Sequence, residues 1–213
     1  MSRVAPRRSL VVGLAGLAVG TGLAGCASGP VPRADGRPPV ETVLVGGCGP
    51  AHGLRALYVL PFTPGEAYEL TQGNCGAESH GGRFSYAYDF RMPPDTPVLA
   101  ARDGVVMTVR DANPDGTRRV GDENFLIVYH PDGEVSRYIH LRQDGALVEE
   151  GEPVAAGDTI ALSGNSGRSS FPHLHFDVAD RCGSDGCRTI PSAFVNADPP
   201  MPDGRGPVEA LPF

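Results

Sequence analysis

From Val40 onward, short apolar stretches alternate with turn-forming residues, and this alternation limits the folds that the chain can adopt. No window of the sequence keeps the 3.6-residue apolar period of an amphipathic helix. The 29 glycines and 21 prolines suit many short strands that are joined by turns. The sequence therefore predicts an all-β domain of two packed antiparallel sheets over residues 40–213, with few or no helices beyond the N-terminus.

Ten segments have the composition of strands, and the turns between them are marked by Asp-Gly pairs. The predicted strands are Thr42–Val45, Arg55–Leu60, Ala67–Thr71, Ser85–Phe90, Val98–Ala101, Val105–Arg110, Phe125–Tyr129, Val135–His140, Thr159–Ser163 and Leu174–Val178. The Pro-rich C-terminal tail from Asp198 onward is predicted to wrap the surface of this domain.

The N-terminus has the pattern of a secretory signal peptide. Arg3, Arg7 and Arg8 precede an apolar run at residues 10–19, which is short for a membrane span of ~20 residues. The run ends in Leu-Ala-Gly followed by Cys26, which resembles the bacterial lipobox. This resemblance implies that residues 1–25 are removed and that Cys26 carries a lipid anchor. The alternative is a plain cleavage site next to an unrelated cysteine, and the choice between Sec and Tat export stays open.

Residues 26–39 form a polar tether rich in proline and glycine, which contains nothing that could build a core. It would hold the folded domain away from a membrane. Loss of the three leader arginines changes the formal charge from −7 to −10, because the leader contains no acidic residue. A nucleic acid is therefore an unsuitable partner for the mature chain.

Four cysteines remain if Cys26 carries lipid, and an even number in an exported protein suggests two disulfides. The disulfide candidates are Cys48, Cys75, Cys182 and Cys187, which allow three connectivities. Cys182 and Cys187 bound a tight loop that could close on itself, leaving Cys48 with Cys75. A zinc cluster of these cysteines is the rival interpretation, although their spacing does not have the usual Cys-x-x-Cys form.

Two histidines one residue apart, His173 and His175, precede an apolar alternation typical of a strand. Residues i and i+2 of a strand face the same side, so both imidazoles point into one space. His80, Asp89 and His140 complete a set that could hold a hydrolytic zinc with one open position for water. Two ordinary strand histidines at a sheet rim are the structural alternative. His52 and His130 have no motif around them, and His130 is predicted to lie in a turn.

From about Leu60 to Val178 the chain resembles the lysostaphin/LytM-type zinc metallopeptidases, the M23 family of cell-wall endopeptidases. The matching pieces follow the order of the family. They are Gln72-Gly73, His80 with Tyr86-Ala87-Tyr88-Asp89-Phe90, Ala101-Arg102-Asp103-Gly104-Val105-Val106, Tyr138-Ile139-His140-Leu141, Gly151 to Asp158, and His173-Leu174-His175-Phe176. Each piece alone is a weak indication of the family, whereas the whole set in this order is a strong one. The stretch from residue 148 to residue 160 also resembles biotinyl and lipoyl carriers, but these need a lysine and the chain has none.

The resemblance implies that His80, Asp89 and His175 bind one zinc ion. It also implies that His140 and His173 stay free of the metal, where they orient water and stabilise the developing oxyanion. The family usually has three residues between the first histidine and the aspartate, whereas eight separate His80 from Asp89 here. His80 is therefore the weakest of the three ligand assignments.

As a whole, the resemblance implies an exported zinc endopeptidase that acts on peptidoglycan stems or cross-bridges in the bacterial cell envelope. It would be anchored by lipid to a membrane and face the periplasm or the cell exterior. The alternative is a non-catalytic member of the same fold that binds the wall or activates another wall hydrolase.

Overall fold

The computed structural model describes residues 42–45, 48, 52–55, 57–183, 186–198 and 205–213. The predicted signal peptide, the tether and the lipidation site Cys26 lie outside these residues and stay predictions. No helix in the described part of the chain is long and apolar enough to cross a membrane.

The described residues form fifteen strands and a single short 3-10 helix, Gly82–Phe84. The strands are β1 Thr42–Val45, β2 His52–Arg55, β3 Ala67–Gln72, β4 Ala87–Arg91, β5 Pro97–Leu99, β6 Gly104–Arg110, β7 Phe125–Tyr129, β8 Glu134–Ile139, β9 Leu141–Ala146, β10 Pro153–Val154, β11 Thr159–Ser163, β12 Leu174–Gly183, β13 Gly186–Thr189, β14 Ala197–Asp198 and β15 Gly206–Ala210.

Two sheets build the domain, and the pairings within both are antiparallel. The large sheet has the order β10-β6-β7-β8-β12-β4-β3-β15-β14, with β13 paired to β12. The small sheet has the order β5-β11-β9, and β1 pairs with β2 as a separate hairpin. The prediction of an all-β fold with two antiparallel sheets is confirmed.

The core lies between the large and the small sheet. Strand β12 places Leu174, Phe176 and Val178 in this core, where all three are fully buried. Side chains alternate along a strand, so His173, His175 and Asp177 lie on the opposite face of the sheet. Strand β4 follows the same alternation: Tyr88 and Phe90 enter the core, which leaves Asp89 on the face of the histidines. The apolar residues of these strands thus fix where the polar ones emerge.

In the described part of the C-terminal tail, residues 205–213, the prediction of a surface wrap is wrong. Residues 206–210 form β15, which pairs with β3 inside the large sheet. Val208 and Ala210 of this strand are fully buried in the core. The alternation of these two small apolar residues is hidden in the sequence by the neighbouring prolines and glycines. The prediction also missed β9, β10, β13 and β14, which are short or contain mainly polar residues. It placed a further strand at Arg55–Leu60, whereas β2 covers His52–Arg55 and Tyr58 forms an isolated bridge to Phe194.

Three of the four candidate cysteines, Cys48, Cys75 and Cys187, are disulfide-bonded, so a zinc cluster of all four is excluded. Cys48 and Cys75 are bonded, with 5.2 Å between their Cα atoms. Cys187 is also disulfide-bonded, and the register of β12 and β13 places Cys182 directly opposite it. The side chain of Cys182 lies outside the described part of the structure.

Candidate functional site

Three donor side chains converge on the face of the large sheet that points away from the core. The register of β4 and β12 sets Asp89 directly opposite His175, and the loop before β4 brings His80 to the same point. Nδ1 of His175 lies 2.9 Å from Asp89 Oδ1, and Nε2 of His80 lies 3.2 Å from Asp89 Oδ2. One donor atom from each residue lies within 4.8 Å of the others, and all three residues are buried.

The His80 ring is held so that a bare nitrogen faces the carboxylate. Its Nδ1 lies 2.8 Å from the carbonyl oxygen of Gly73, which only accepts hydrogen bonds, so Nδ1 carries the proton. Nε2 is buried and has no hydrogen-bond partner among the described residues. A nitrogen lone pair and a carboxylate oxygen at this distance repel each other unless a cation lies between them. These donors therefore fit a divalent metal ion, and neutral nitrogen with carboxylate oxygen is a donor set that suits zinc.

Asp89 is ionised in this site. Burial opposes its charge and is the largest single effect, but the hydrogen bond from His175 and the other interactions with the surrounding histidines together outweigh it and hold the pKa of the carboxyl group well below its usual range. Gln72 donates a second hydrogen bond to Asp89 Oδ2 at 3.0 Å. The site therefore presents a fixed negative charge between two imidazoles, which favours a cation there.

A buried ion pair orients His175 from its other side. Nε2 of His175 donates to Asp177 Oδ2 at 3.0 Å, and Arg137 donates to both oxygens of Asp177 at 2.7 and 2.8 Å. Asp177 is fully buried and Arg137 is 8% exposed. A carboxylate behind a metal-binding histidine fixes the ring and its tautomer. Neither Asp177 nor Arg137 was predicted from the sequence. Asp177 lies two residues after His175 on the same strand face, so the strand period could have predicted its place beside His175. The position of Arg137 could not be predicted in this way, because it depends on the pairing of β8 with β12.

His140 and His173 stand side by side next to the three donors, with 4.6 Å between their ring centroids. Nδ1 of His140 donates to the carbonyl of Ser166 at 2.8 Å, and Nδ1 of His173 donates to that of Phe171 at 2.9 Å. Each neutral ring therefore keeps its Nε2 free of a proton. Nε2 of His173 lies 3.7 Å from Asp89 Oδ1.

Both of these imidazoles are neutral near pH 7. Burial, followed by the nearby His173 and His175, lowers the pKa of His140 to about 3. Burial also lowers the pKa of His173 below its ordinary value, although Asp89 opposes this shift. Two neutral imidazoles with a free nitrogen beside a cation site are able to accept protons there.

The loop between β11 and β12 sets the orientation of this histidine pair. It supplies the carbonyl groups of Ser166 and Phe171, and the hydroxyl of Ser169 lies 3.1 Å from His173 Nδ1. Gly167 allows the turn, with a φ of +68°, and a Cβ there would lie 2.5 Å from the side chain of Glu123. The glycine is therefore required by both the backbone conformation and the close approach of Glu123.

The site lies at the floor of an open cleft of about 920 Å³. Aromatic and charged side chains form its walls, and they include Phe84, Phe125, Phe171, Arg83, Arg91, Arg168, Glu69 and Glu123. A cleft of this size is within the range of about 300–1,000 Å³ that accommodates small molecules and short peptide segments.

All five residues selected from the sequence come together here: Asp89, His140, His173 and His175 line the cleft, and His80 is buried against Asp89. His130 lies elsewhere and is fully buried; its ring contacts the carbonyl of Asp103 at 2.8 Å and the hydroxyl of Ser136 at 3.0 Å. It closes the turn after β7 and takes no part in the cleft. The side chain of His52 lies outside the described residues.

Removal of Asp177 should strongly destabilise the fold. Asp177→Ala leaves the buried guanidinium of Arg137 unpaired, and breaking a buried ion pair in this way costs about 3–5 kcal/mol. Urea unfolding of the metal-free protein measures this loss. Glu69→Ala is the matched control, because it breaks the half-exposed pair with Arg91 and should cost less than about 1 kcal/mol. Equal losses in the two variants would show that the Arg137–Asp177 pair is not a structural anchor.

Comparison with known proteins gives one family. Residues 83–185 match the sequence profile of peptidase family M23. The matched region contains Asp89, His140, His173 and His175 and begins three residues after His80. The family match therefore does not include His80, and its assignment to the site rests on the geometry of its loop alone.

Several curated proteins share this region. The chain is 39% identical over 93 residues to the peptidoglycan DD-endopeptidase ShyA of Vibrio cholerae. This alignment covers 44% of this chain and 20% of ShyA. The chain is 33% identical over 99 residues to the DD-carboxypeptidase/endopeptidase Mpg of Neisseria meningitidis, covering 46% and 21%. A zinc-containing peptidase from Vibrio cholerae, whose crystal structure is known, is 31% identical with a TM-score of 0.46, covering 66% and 40%. The chain thus spans about a fifth of the length of the curated relatives that it matches.

Proposed function

Because residues 83–185 are a domain of peptidase family M23, we propose that this protein is a zinc-dependent endopeptidase that cleaves peptide bonds in peptidoglycan stems or cross-bridges. The observation that carries the proposal is the convergence of His80, Asp89 and His175 within 4.8 Å, beside two neutral imidazoles and at the floor of an open cleft. The relatives ShyA and Mpg, which are named as endopeptidases, support the choice of substrate class.

In this proposal Nε2 of His80, a carboxylate oxygen of Asp89 and Nδ1 of His175 hold the ion. A bound zinc ion supplies a Lewis acid that polarises a peptide carbonyl and lowers the pKa of water towards ~7. Asp177 keeps one proton of His175 on Nε2, so Nδ1 would be available to the metal once the proton that it shares with Asp89 is displaced. Two neutral nitrogens and one carboxylate are the ligand types that a hydrolytic zinc site would use.

His140 and His173 would move the protons of the reaction. The free Nε2 of a neutral imidazole can accept a proton from the attacking water and return it to the amine that leaves. Once protonated, the same nitrogen donates a hydrogen bond to the negative oxygen that develops on the carbonyl carbon. Because the Nδ1 of each ring is fixed by a backbone carbonyl, the tautomer needed for both steps is already set.

We place this activity in the cell envelope, with the mature chain anchored through lipid on Cys26 after a signal peptide of residues 1–25. The disulfide between Cys48 and Cys75 supports export, because such bonds persist in oxidising compartments. Peptidoglycan would be the partner within reach of a domain tethered by residues 26–39.

Digestion of purified sacculi tests this function. Zinc-loaded protein should release peptide fragments with newly formed amino groups, identified by mass spectrometry. A chelator should stop the release and added zinc should restore it. Fragments that appear equally with chelator would contradict a metal-dependent peptidase. Binding to sacculi without any fragment would favour the alternative of a non-catalytic wall-binding module.

Metal affinity should rise with pH. Burial works against a charge on His175, but hydrogen bonds to Asp177 and Asp89 outweigh it and raise its pKa to about 9 in the metal-free site. Below that pH a metal must displace a proton, so affinity should increase by about tenfold per pH unit. Competition with a chromogenic chelator at pH 6, 7 and 8 measures this slope. A flat profile would show that zinc displaces no proton from His175.

A further inference from the structure

The position of His80 is not set by regular secondary structure. Between the end of β3 and the start of β4, the chain forms turns and a single short 3-10 helix. His80 lies within this segment, eight residues before Asp89, and outside the region that matches the family. Some other interaction must therefore bring its ring to the carboxylate.

One side chain, that of Gln72, contacts both parts of the site. Gln72 ends β3 and is paired in register with Asp89 of β4. Its Nε2 donates to Asp89 Oδ2 at 3.0 Å and to the hydroxyl of Ser79 at 2.7 Å. Its Oε1 accepts from the backbone N–H groups of Glu78 and Ser79 at 3.0 and 3.1 Å. A single amide thus links the Asp89 carboxylate to the two residues that precede His80.

The amide has no capacity left for a substrate. An amide group offers two donors and two acceptor positions, and the four contacts occupy them all. Gln72 is also only 5% exposed, although it borders the cleft. Its role is therefore to position other groups, and contact with a bound peptide is not its function.

The loop is shaped around this side chain. Gly76 passes so close that a Cβ there would lie 2.2 Å from Gln72 Cγ. The carbonyl of Gly73, the next residue after Gln72, accepts the Nδ1 proton of His80 and turns Nε2 towards Asp89. The Cys48–Cys75 disulfide holds the exposed tip of the same loop, whereas Gln72 fixes its base.

We propose that Gln72 is the positioning residue that assembles the metal centre, by holding the Asp89 carboxylate and the His80 loop in one fixed arrangement. This inference rests on the proposed metal site and does not depend on which bond is cleaved. Without the amide, His80 would move with its loop and the Asp89 carboxylate would lose one of its hydrogen bonds. Zinc binding would then have to order the carboxylate and the loop, and the loss of conformational entropy would weaken the zinc affinity.

Zinc affinity of three variants tests this role. Gln72→Met keeps the length and volume of the side chain but makes no hydrogen bond, and we expect it to weaken zinc binding by about 10–100-fold. Gln72→Ala should weaken it at least as much. Thr71→Val is the matched control, because it removes one hydrogen bond to the backbone oxygen of Asp89 and leaves the amide in place. The zinc affinity of Thr71→Val should stay within about threefold of the wild-type value.

A double variant separates positioning from general destabilisation. If Gln72 acts partly through His80, Gln72→Met should reduce the zinc affinity by a smaller factor in a His80→Ala background than in the wild type. The absorption spectrum of the cobalt-loaded protein should also change in Gln72→Met and not in Thr71→Val. Wild-type zinc affinity in Gln72→Met, or an unchanged factor in the double variant, would overturn the inference.

The two proposals fail separately, because zinc binding is measured without substrate. A wild-type protein that binds zinc but cleaves no sacculi would refute the proposed peptidase and leave the role of Gln72 standing. Wild-type zinc affinity in Gln72→Met, in a protein whose wild type cleaves sacculi, would instead refute the role of Gln72 alone.

Discussion

His175→Ala should abolish both zinc binding and the release of peptides from sacculi. The substitution removes one ligand nitrogen and leaves the carboxylates of Asp89 and Asp177 without the imidazole that lies between them. Metal catalysis supplies several kcal/mol of transition-state stabilisation, so its loss corresponds to a rate decrease of about 10³-fold or more. Metal analysis and a sacculus digest of the same preparation measure the two losses together.

His130→Gln is the control for this experiment. His130 is also a buried histidine with both ring nitrogens hydrogen-bonded, but its partners are Asp103 and Ser136, away from the cleft. The control should lower the unfolding midpoint and keep one zinc ion per chain. His175→Ala protein that retains zinc and still releases fragments would refute the ligand assignment.

The second large effect should come from the histidine pair. His140→Ala and His173→Ala should each keep zinc and lower kcat by about 10²–10⁴-fold, because each removes a group that transfers a proton. KM should change little, since neither ring is expected to contribute mainly to binding. Steady-state kinetics on a soluble cross-linked peptide, with metal content measured in parallel, separate proton transfer from metal binding.

Two results would contradict this role. Loss of zinc from His173→Ala would show that His173 is a ligand. This outcome is tested because Nε2 of His173 lies 3.7 Å from Asp89 Oδ1. A kcat within about threefold of wild type in either variant would mean that the ring is not needed for proton transfer.

Much of the site was predictable from local pattern. The alternation of Leu174, Phe176 and Val178 assigns one face of β12 to the core, so His173 and His175 must share the other face. The same reasoning applies to Asp89 between Tyr88 and Phe90. These positions follow from the strand period alone.

The remaining site features depend on contacts between distant parts of the chain. The loop that carries His80 has no periodic pattern, and its shape comes from the Gln72 amide and from the disulfide of Cys75. Arg137 reaches Asp177 only because β8 pairs with β12. Such contacts cannot be read from the spacing of residues.

The same limit explains the fold error at the C-terminus. Val208 and Ala210 are small, and they follow a Pro/Gly-rich stretch that is typical of a loop. They form a buried strand because β3 offers an open edge on which residues 206–210 can pair. Tertiary context thus overrode a weak local preference.

We propose that two imidazoles and one carboxylate from three separate segments hold one catalytic zinc ion. X-ray absorption at the zinc edge of the loaded protein tests it most directly. We expect one zinc per chain with nitrogen and oxygen neighbours at about 2.0–2.2 Å, two of them from imidazoles, and no sulfur at about 2.3 Å. A sulfur neighbour, or a spectrum that His80→Ala and His175→Ala leave unchanged, would contradict it.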